Sequence, residues 1–502
     1  MYLEKIEIPS FRVLRDVVLE FGNLYDPQVF PLGSENGGGK STALQLIFTL
    51  LHCSADPTRL TYLKNLLATD SSPSSGEQKI IARLTIRIEE QSHTVEFISL
   101  ADRFLEQNLK EELPRFGFSI EAEIENCNRK IARSSSQIQE MEEVASQSPE
   151  RFLREGLYGR WNRDSGPPRL PRNAAEIPAF LESERKRIQE SLKTAKEDLG
   201  KLNSDWERIR SLLVAHNQKY ITTYSCSTQQ KSETRALVCR VQGQSASRTE
   251  ELLLVASSKV FLLGPSSQQY LFLPKEVRKA LLRTKRPRSS RNLPSGDPSK
   301  PSPQIEYLKS LDEAETVLAG FLAYDWLSVE PLVKLFLDAR DEDFERVVRT
   351  GSYGERYTTL LREVNALLFG KRVRPLVGDP VRVLGVEFVV TDDRGVETPL
   401  SPEDLSQGEL KRLMIYAWLR SNSVFDALVL IDEIETSFHP DWQIGIVRDL
   451  HEWAPKNQYI LATHSYELCQ ALTPRHVREL RPRLLRGEGA DVEVRETEAH
   501  DG

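Results

Sequence analysis

One stretch constrains this chain more than any other: Gly33-Ser34-Glu35-Asn36-Gly37-Gly38-Gly39-Lys40-Ser41-Thr42. Val29-Phe30-Pro31-Leu32 before it is short and apolar, like the end of a buried strand. Ala43 to Leu51 after it reads as a helix. Strand, glycine-rich loop and helix in that order form the setting in which a backbone can wrap a phosphate. Gly37, Gly38 and Gly39 allow an approach to anion oxygens that a Cβ would block. The helix start adds N–H groups and the positive end of its dipole. Lys40 is spaced to reach the β- and γ-phosphates of a nucleotide, and Ser41 to ligate Mg²⁺. The pattern G-x4-G-K-[ST] places its first glycine where this chain has Ser34; the nearest glycine, Gly33, is one place early. The core from Asn36 through Lys40 to Thr42 is intact, so the loop reads as functional, with a plain glycine turn as the alternative.

A chain of 502 residues is too long for one simple core, so two or three folding units are expected. The formal charge of −7 carries no global nucleic-acid signature, although a local basic patch remains compatible with it. Cys53, Cys127, Cys226, Cys239 and Cys469 form no C-x-x-C pair, which fits a reduced cytosolic protein without a disulfide framework or cysteine zinc site. No apolar run approaches the roughly 18–20 residues needed to cross a bilayer. The alternating start Met1 to Ile8 lacks a signal-peptide apolar region. The expectation is a soluble cytoplasmic protein with no membrane partner.

Residues 2–8 and Val17 to Phe21 read as strands with Phe11-Arg12 between them, and Ile80–Ile88 and Thr94–Ile98 as a strand pair. The period then changes. Ile124, Cys127, Ile131, Ser134, Ile138 and Met141, and later Ile188, Leu192, Ala195, Leu199, Leu202, Trp206, Ile209 and Leu213, recur at spacings of three and four between polar residues. Two such seams split by the Pro/Gly/Arg-rich 149–173 predict a short antiparallel coiled-coil hairpin; two amphipathic helices on a globular core are the alternative. Residues 235–242, 251–256 and 260–264 are apolar enough for strands, and 304–370 looks largely helical, for example Leu308–Phe321 and Leu332–Arg340. From Lys275 to Lys300 the chain is basic, and its Pro/Ser-rich second half reads as disordered, either simply solvated or touching nucleic acid. Val386–Thr391 reads as a strand before a turn.

Three later motifs decide what the phosphate loop serves. Leu405-Ser406-Gln407-Gly408-Glu409 precedes a helical run, where Ser406 and Gly408 can present a hydroxyl and backbone N–H groups to an anion. Ala427 to Glu433 is a buried strand ending in two carboxylates, Asp432 to hold Mg²⁺ through water and Glu433 to polarise an attacking water. Gln458 to Ser465 is a strand ending in His464, able to bond a γ-phosphate. Taken singly, each has a structural reading: a surface turn for Asp432-Glu433, a packed residue for His464.

Together the set resembles the ABC-type P-loop ATPases of the RecF/SMC/OLD-like branch. Leu405–Glu409 is similar to the ABC signature with Gln407 in place of Gly, Asp432-Glu433 to Walker B with its catalytic glutamate, Glu435–Pro440 to the D-loop region with Phe438 in place of Leu, and His464 to the H-loop. Ile6 to Arg12 is similar to the branch's opening strand and Asn-Phe-Arg turn, with Ser10 in place of Asn. The resemblance implies an α/β ATPase head assembled from both ends of the chain. Its expected parts are an N-terminal lobe (1–115), a coiled-coil hairpin (116–218), the rest of that lobe (219–275), a helical region with a basic disordered loop (276–375), a C-terminal lobe (376–485) and a flexible acidic tail (486–502). It implies Lys40, Glu433 and His464 as catalytic residues; Arg12, Asn36, Gly37, Gly38, Gly39, Lys40, Ser41, Thr42, Ser406 and Gly408 as nucleotide-binding; and Ser41 and Asp432 as Mg²⁺ ligands. The Q-loop glutamine is Gln268 or Gln269.

In this family the signature of one subunit covers the γ-phosphate held by another, so the resemblance implies an ATP-dependent homodimer or higher assembly. The stretch after His464 is short, so the TOPRIM nuclease domain of OLD-family proteins is not expected in this chain. The architecture resembles the ATPase subunits of bacterial anti-phage systems such as Septu, retron-Septu and PARIS, which implies a separate nuclease or toxin partner. A RecF-like DNA-repair ATPase binding DNA through its basic segments is the second reading. A transporter motor and a nucleotide-stabilised scaffold with little turnover are weaker ones.

Overall fold

The computed structural model describes residues 1–22, 25–34, 37–70, 76–109, 114–146, 176–227, 232–265, 268, 272–273, 277–278, 309, 313–314, 316–324, 330–375, 386–392 and 394–480. The chain divides into two compact units, Met1–Pro73 with Ile80–Ile98 and Val241–Gly502, and Ser74–Lys79 with Ser99–Arg240. The expected basic loop lies almost wholly outside the described residues, as do the 149–173 connection and the acidic tail.

The strands in chain order are β1 (Tyr2–Phe11), β2 (Leu14–Glu20), β3 (Val29–Gly33), β4 (Gln78–Ile88), β5 (Gln91–Ala101), β6 (Lys219–Ser227), β7 (Ser232–Val241), β8 (Val260–Gly264), β9 (Phe321–Ala323), β10 (Lys371–Pro375), β11 (Val386–Thr391), β12 (Glu397–Leu400), β13 (Leu428–Asp432), β14 (Gln458–Ala462) and β15 (Arg478–Glu479). In the first unit one parallel sheet runs β15-β3-β14-β13-β8-β9. Its strands are continuous apolar runs because both faces are covered: all five residues of β13 and of β14 are buried. On one face lies the helix Lys40–Cys53, buried on nearly every side, including Leu44, Ile47, Phe48 and Leu51. Residues Ile415, Trp418 and Leu419 of the helix Gln407–Ser421, and Ile446, Val447 and Leu450 of the helix Pro440–Trp453, share a core with Val429, Ile431, Tyr459 and Leu461.

A second, antiparallel layer runs β2-β1-β4-β5. Gln458 pins β1 to the start of β14, accepting from Leu3 N (2.7 Å) and donating to Leu3 O (2.9 Å). A third sheet, β10-β11-β12, is antiparallel. Its Phe388 and Val373 pack with Leu335 and Phe336 of the helix Glu330–Thr350 and with Val364 of the helix Arg356–Leu367.

Two expected elements differ. Residues 251–256, read as a strand, belong to the helix Ala246–Ser258. Ser245 caps it by accepting from Arg248 N, and Thr249, Leu252, Leu253 and Ala256 form its buried stripe. A short unbroken apolar run has no period, so the cap and stripe decide. Phe321, read as a helix end, opens β9 instead, because the edge of β8 offers it parallel pairing through Leu262.

In the second unit, β6 and β7 form an antiparallel hairpin. The helices Ile120–Ser146 and Ile177–Ala215 pack together. They run antiparallel: Tyr220 OH, just past the second, donates to Glu121 at the start of the first (2.6 Å), while Arg185 pairs with Glu142 at the other end (2.8 Å). Of the expected seam residues, Met141, Ile188, Leu202, Trp206, Ile209 and Leu213 are buried, and Ile124, Cys127, Ile131, Ser134, Ile138, Leu192, Ala195 and Leu199 are half-buried. The Trp206 ring meets Tyr220 edge-on at 4.7 Å. Trp206→Ala should therefore cost this unit about 3–5 kcal/mol, read as a lower urea midpoint. Lys196→Ala, on the outer face, should change it by less than about 0.5 kcal/mol.

Candidate nucleotide-binding site

Register builds the site. Leu32 of β3 pairs with Ala462 of β14, Ala462 with Asp432 of β13, and Ile431 with Leu263 of β8. All four strands are parallel, so the segments beginning at Ser34, Thr463, Glu433 and Pro265 leave the same edge of the sheet. The crevice beyond carboxyl ends of parallel strands is where such sheets bind ligands.

The glycine loop leads from β3 into the helix Lys40–Cys53. Gly37 and Gly39 have φ of +78° and +90°, the left-handed region that a side chain disfavours. A Cβ on Gly39 would also sit 2.5 Å from Leu14 Cδ2 and 3.0 Å from Val13 Cγ2, so glycine is required there twice over. Gly38 lies between them, and Ser41 and Thr42 occupy the first helical turn. Glu35 and Asn36 lie outside the described residues.

Lys40 is only 6 % exposed. Its Nζ donates to Ser34 O (3.3 Å), to Ser34 Oγ (3.2 Å) and to His464 Nε2 (2.9 Å). Ser34, where the usual pattern has glycine, thus supplies two oxygens to the lysine. Burial pulls the Lys40 pKa down, and the carboxylates of Asp432, Glu435 and Glu433 oppose that shift.

Asp432 is 1 % exposed. Burial pushes its pKa up to about 6, against a hydrogen bond from Ser41 and with further repulsion from Glu433 and Glu435. Gln268 Nε2 donates to Asp432 Oδ2, and Gln268 Oε1 accepts from Gln45. Of the two candidate glutamines the structure brings Gln268 to this carboxylate; Gln269 lies outside the described residues.

Glu433 is exposed and has φ of +52°. Four contacts hold its backbone there: its N–H donates to Ala462 O (2.9 Å), Tyr324 OH donates to the carbonyls of Asp432 and Glu433, and Lys411 Nζ donates to Glu433 O (3.0 Å). Lys411, 3 % exposed, also donates to Thr436 O (3.1 Å) and stands 3.8 Å over the Tyr324 ring. The His464 N–H donates to Glu435 Oε1 (2.7 Å).

Arg12 sits in the β1–β2 turn at φ +54°, its N–H donating to Asp70 Oδ1 (3.1 Å). Its neighbours Val13 and Leu14 are the residues pressed against Gly39. Arg12 Nη1 is buried without a hydrogen-bond partner among the described residues, and burial together with Arg278 lowers the guanidinium pKa.

Ser406 and Gly408 have a different set of partners. The Ser406 hydroxyl accepts from Glu409 N (3.2 Å) while Glu409 Oε2 accepts from Ser406 N (2.8 Å), a reciprocal capping box. Lys371 Nζ also donates to that carboxylate oxygen (2.7 Å). A Cβ on Gly408 would meet Ser437 O at 2.6 Å, so the helix start lies hard against the segment after β13. Gln407 accepts from Ser437 Oγ (3.3 Å). Sequence reasoning missed Gln45, Tyr324, Lys411 and the Glu435–His464 bond. The fixed Asp432-Glu433-x-Glu435 spacing was the one available signal.

A family model described as "AAA domain, putative AbiEii toxin, Type IV TA system" matches residues 286–470, which hold β9 to β14 with Asp432, Glu433 and His464. The probable ATPase of retron Ec83 from Escherichia coli is 35% identical over 89 residues, a match spanning only 16% of this chain and 16% of that protein. Among solved structures, an Smc head bound to the C-winged helix domain of ScpA aligns over 94% of this chain and 92% of its own at 10% identity, TM-score 0.36. An Smc head with an extended coiled coil bound to the C-terminal domain of ScpA, from Pyrococcus furiosus, aligns over 94% and 91% at 12% identity, TM-score 0.30. Among the described residues no helix is long and apolar enough to cross a membrane.

Holding Asp432 in this pocket works against folding. Its folded pKa of about 6 lies above the ordinary 3.8, so between those values the folded chain binds the extra proton and stability falls as pH rises. Asp432→Asn should therefore stabilise the ligand-free protein by about 2–3 kcal/mol above pH 6, with the gain vanishing as pH falls toward 3.8. Denaturant titrations of both proteins at pH 7.5 and pH 4.5 check the sign.

Proposed function

We propose that this chain, an ABC-type P-loop ATPase of a defence-associated branch, binds and hydrolyses ATP with Mg²⁺ at the edge built by β3, β14, β13 and β8. Lys40 bonds His464, Ser41 and Gln268 bond Asp432, and Lys40 and Asp432 act on each other electrostatically; this convergence of four separate segments carries the reading. The fit to a phosphate is good: among the described residues nothing crowds the Cβ position of the left-handed Gly37, and the buried Arg12 Nη1 has no hydrogen-bond partner. Mg²⁺ would supply neutralisation of the terminal phosphates, and the Ser41 hydroxyl and Asp432 carboxylate are the hard oxygen donors such an ion takes.

Each side chain has a task. Lys40, held by Ser34 and His464, would bring its cation to phosphate oxygens. Gln268 orients Asp432, itself steered by Gln45. Glu433, exposed beside the buried Asp432, would take a proton from an attacking water. His464 would donate to the γ-phosphate. Ser406 and Gly408 would cover the γ-phosphate bound by a second copy, making the nucleotide the glue of a homodimer or higher assembly that opens on hydrolysis.

The use of the switch is control of a separate nuclease or toxin subunit. The partial match to a retron's probable ATPase supports this, as does the toxin description attached to the matching family. The test compares wild type with Glu433→Gln for ATP turnover and for solution mass with and without Mg²⁺-ATP. Turnover should fall by about 100-fold or more, and ATP should drive the variant into a larger, slowly dissociating species. Absence of turnover in both proteins, with a mass indifferent to ATP, would overturn the proposal.

A further inference from the structure

Glu435 is the charged group at the site edge to which neither the phosphate loop nor the carboxylate pair gives a role. It lies three residues beyond Asp432, in the segment leaving β13. One oxygen, Oε1, accepts the His464 N–H at 2.7 Å. The other, Oε2, is buried and has no hydrogen-bond partner among the described residues. The carboxylate is close enough to Lys40 and Asp432 to act on both electrostatically. Its bond therefore crosses from the β13 exit to the β14 exit and fixes the first exposed residue after β14. The side chain of that residue stands 2.9 Å from Lys40 Nζ.

The segment carrying Glu435 is itself immobilised. Lys411 donates to the carbonyls of Glu433 (3.0 Å) and Thr436 (3.1 Å), on either side of it. Phe438 N donates to Glu435 O at 2.9 Å. A carboxylate on so constrained a backbone is a fixed acceptor, and a charge-assisted bond to a backbone N–H is strong and directional.

We propose that Glu435 is a positioning residue, which sets the His464 imidazole against Lys40 and the terminal phosphate by accepting the His464 N–H. The proposal rests on the nucleotide reading above. It says that the oxygen, not the charge, is what matters, and that Glu435 acts through His464. A Gln at 435 keeps an oxygen acceptor at the same reach; an Ala removes it.

The experiment uses the full-length chain with Glu435→Ala, Glu435→Gln, His464→Ala and the Glu435→Ala/His464→Ala double variant. ATP turnover is read as kcat and KM, and the histidine imidazole resonances are read by ¹⁵N-edited NMR, with His464 assigned by its loss in His464→Ala. Glu435→Ala should lower kcat about 10- to 100-fold with KM within about twofold. Glu435→Gln should recover most of that loss, and Glu435→Ala should cost nothing further once His464 is gone. The His464 signals should move in the Ala variant and stay in the Gln variant. A Gln variant as impaired as Ala, or losses that multiply in the double variant, would overturn the proposal. Were Glu435→Ala to unfold, displaced His464 signals in the folded Gln variant would overturn it equally. Absent turnover in wild type would sink the ATPase reading alone, leaving the imidazole signals to decide the role of Glu435.

Discussion

The pairing of β3, β14, β13 and β8 in one parallel register is what the rest of the molecule depends on. Slide β14 by one residue against β13 and His464 would leave the edge where Lys40 waits; every side chain would also swap faces of the sheet. The register is enforced by burial on both faces of the sheet. Gln458 adds a second restraint by clasping the backbone of β1 at the opposite end of β14. The apolar core thus specifies the geometry of a polar group to which it contributes no atom.

That polar group is held under electrostatic tension. Asp432 is buried and its pKa is raised, while Lys40 is buried and its pKa is lowered, each by loss of water. Within one chain the two charges offset part of each other's cost, and Ser34, Ser41 and Gln268 meet their hydrogen-bonding needs. On the proposed reading, such a site is organised before its ligand arrives, which is where electrostatic binding and catalysis gain most. The cost falls on folding, and the extensive core around the helix Lys40–Cys53 offsets it.

Much of this could be read from the sequence because its parts are local. The glycine loop, the two carboxylates after an apolar strand and the strand-terminal histidine each declare themselves within ten residues. The seam of the helices Ile120–Ser146 and Ile177–Ala215 declares itself by period. What stayed hidden depends on distant partners. Lys411 looks like any polar residue of an amphipathic helix until the carbonyls of Glu433 and Thr436 are seen beneath it. Tyr324 and Gln45 become part of the site only through pairings of β9 and of the Lys40 helix that no local pattern encodes. Ser34 looked like a defect in a motif and is instead a ligand of the lysine. The run at 251–256 differs for the complementary reason: the five consecutive apolar residues Leu252 to Ala256 have no period until the cap at Ser245 sets one.

The burial of the helix Lys40–Cys53 on nearly all sides has a dynamic consequence. A helix with no solvated face has nowhere to tilt and little reason to fray, so its amides belong to the slowest-exchanging class, opening only when the whole unit does. Its first turn is an anvil. Across the crevice, Glu433, Ser437, His464 and Tyr466 are exposed, yet the backbones of Glu433 and His464 are held by hydrogen bonds. Solvent reaches the carboxyl ends of the four strands only from the side opposite that buried helix, so any exchange there is set by the exposed segments and not by the helix.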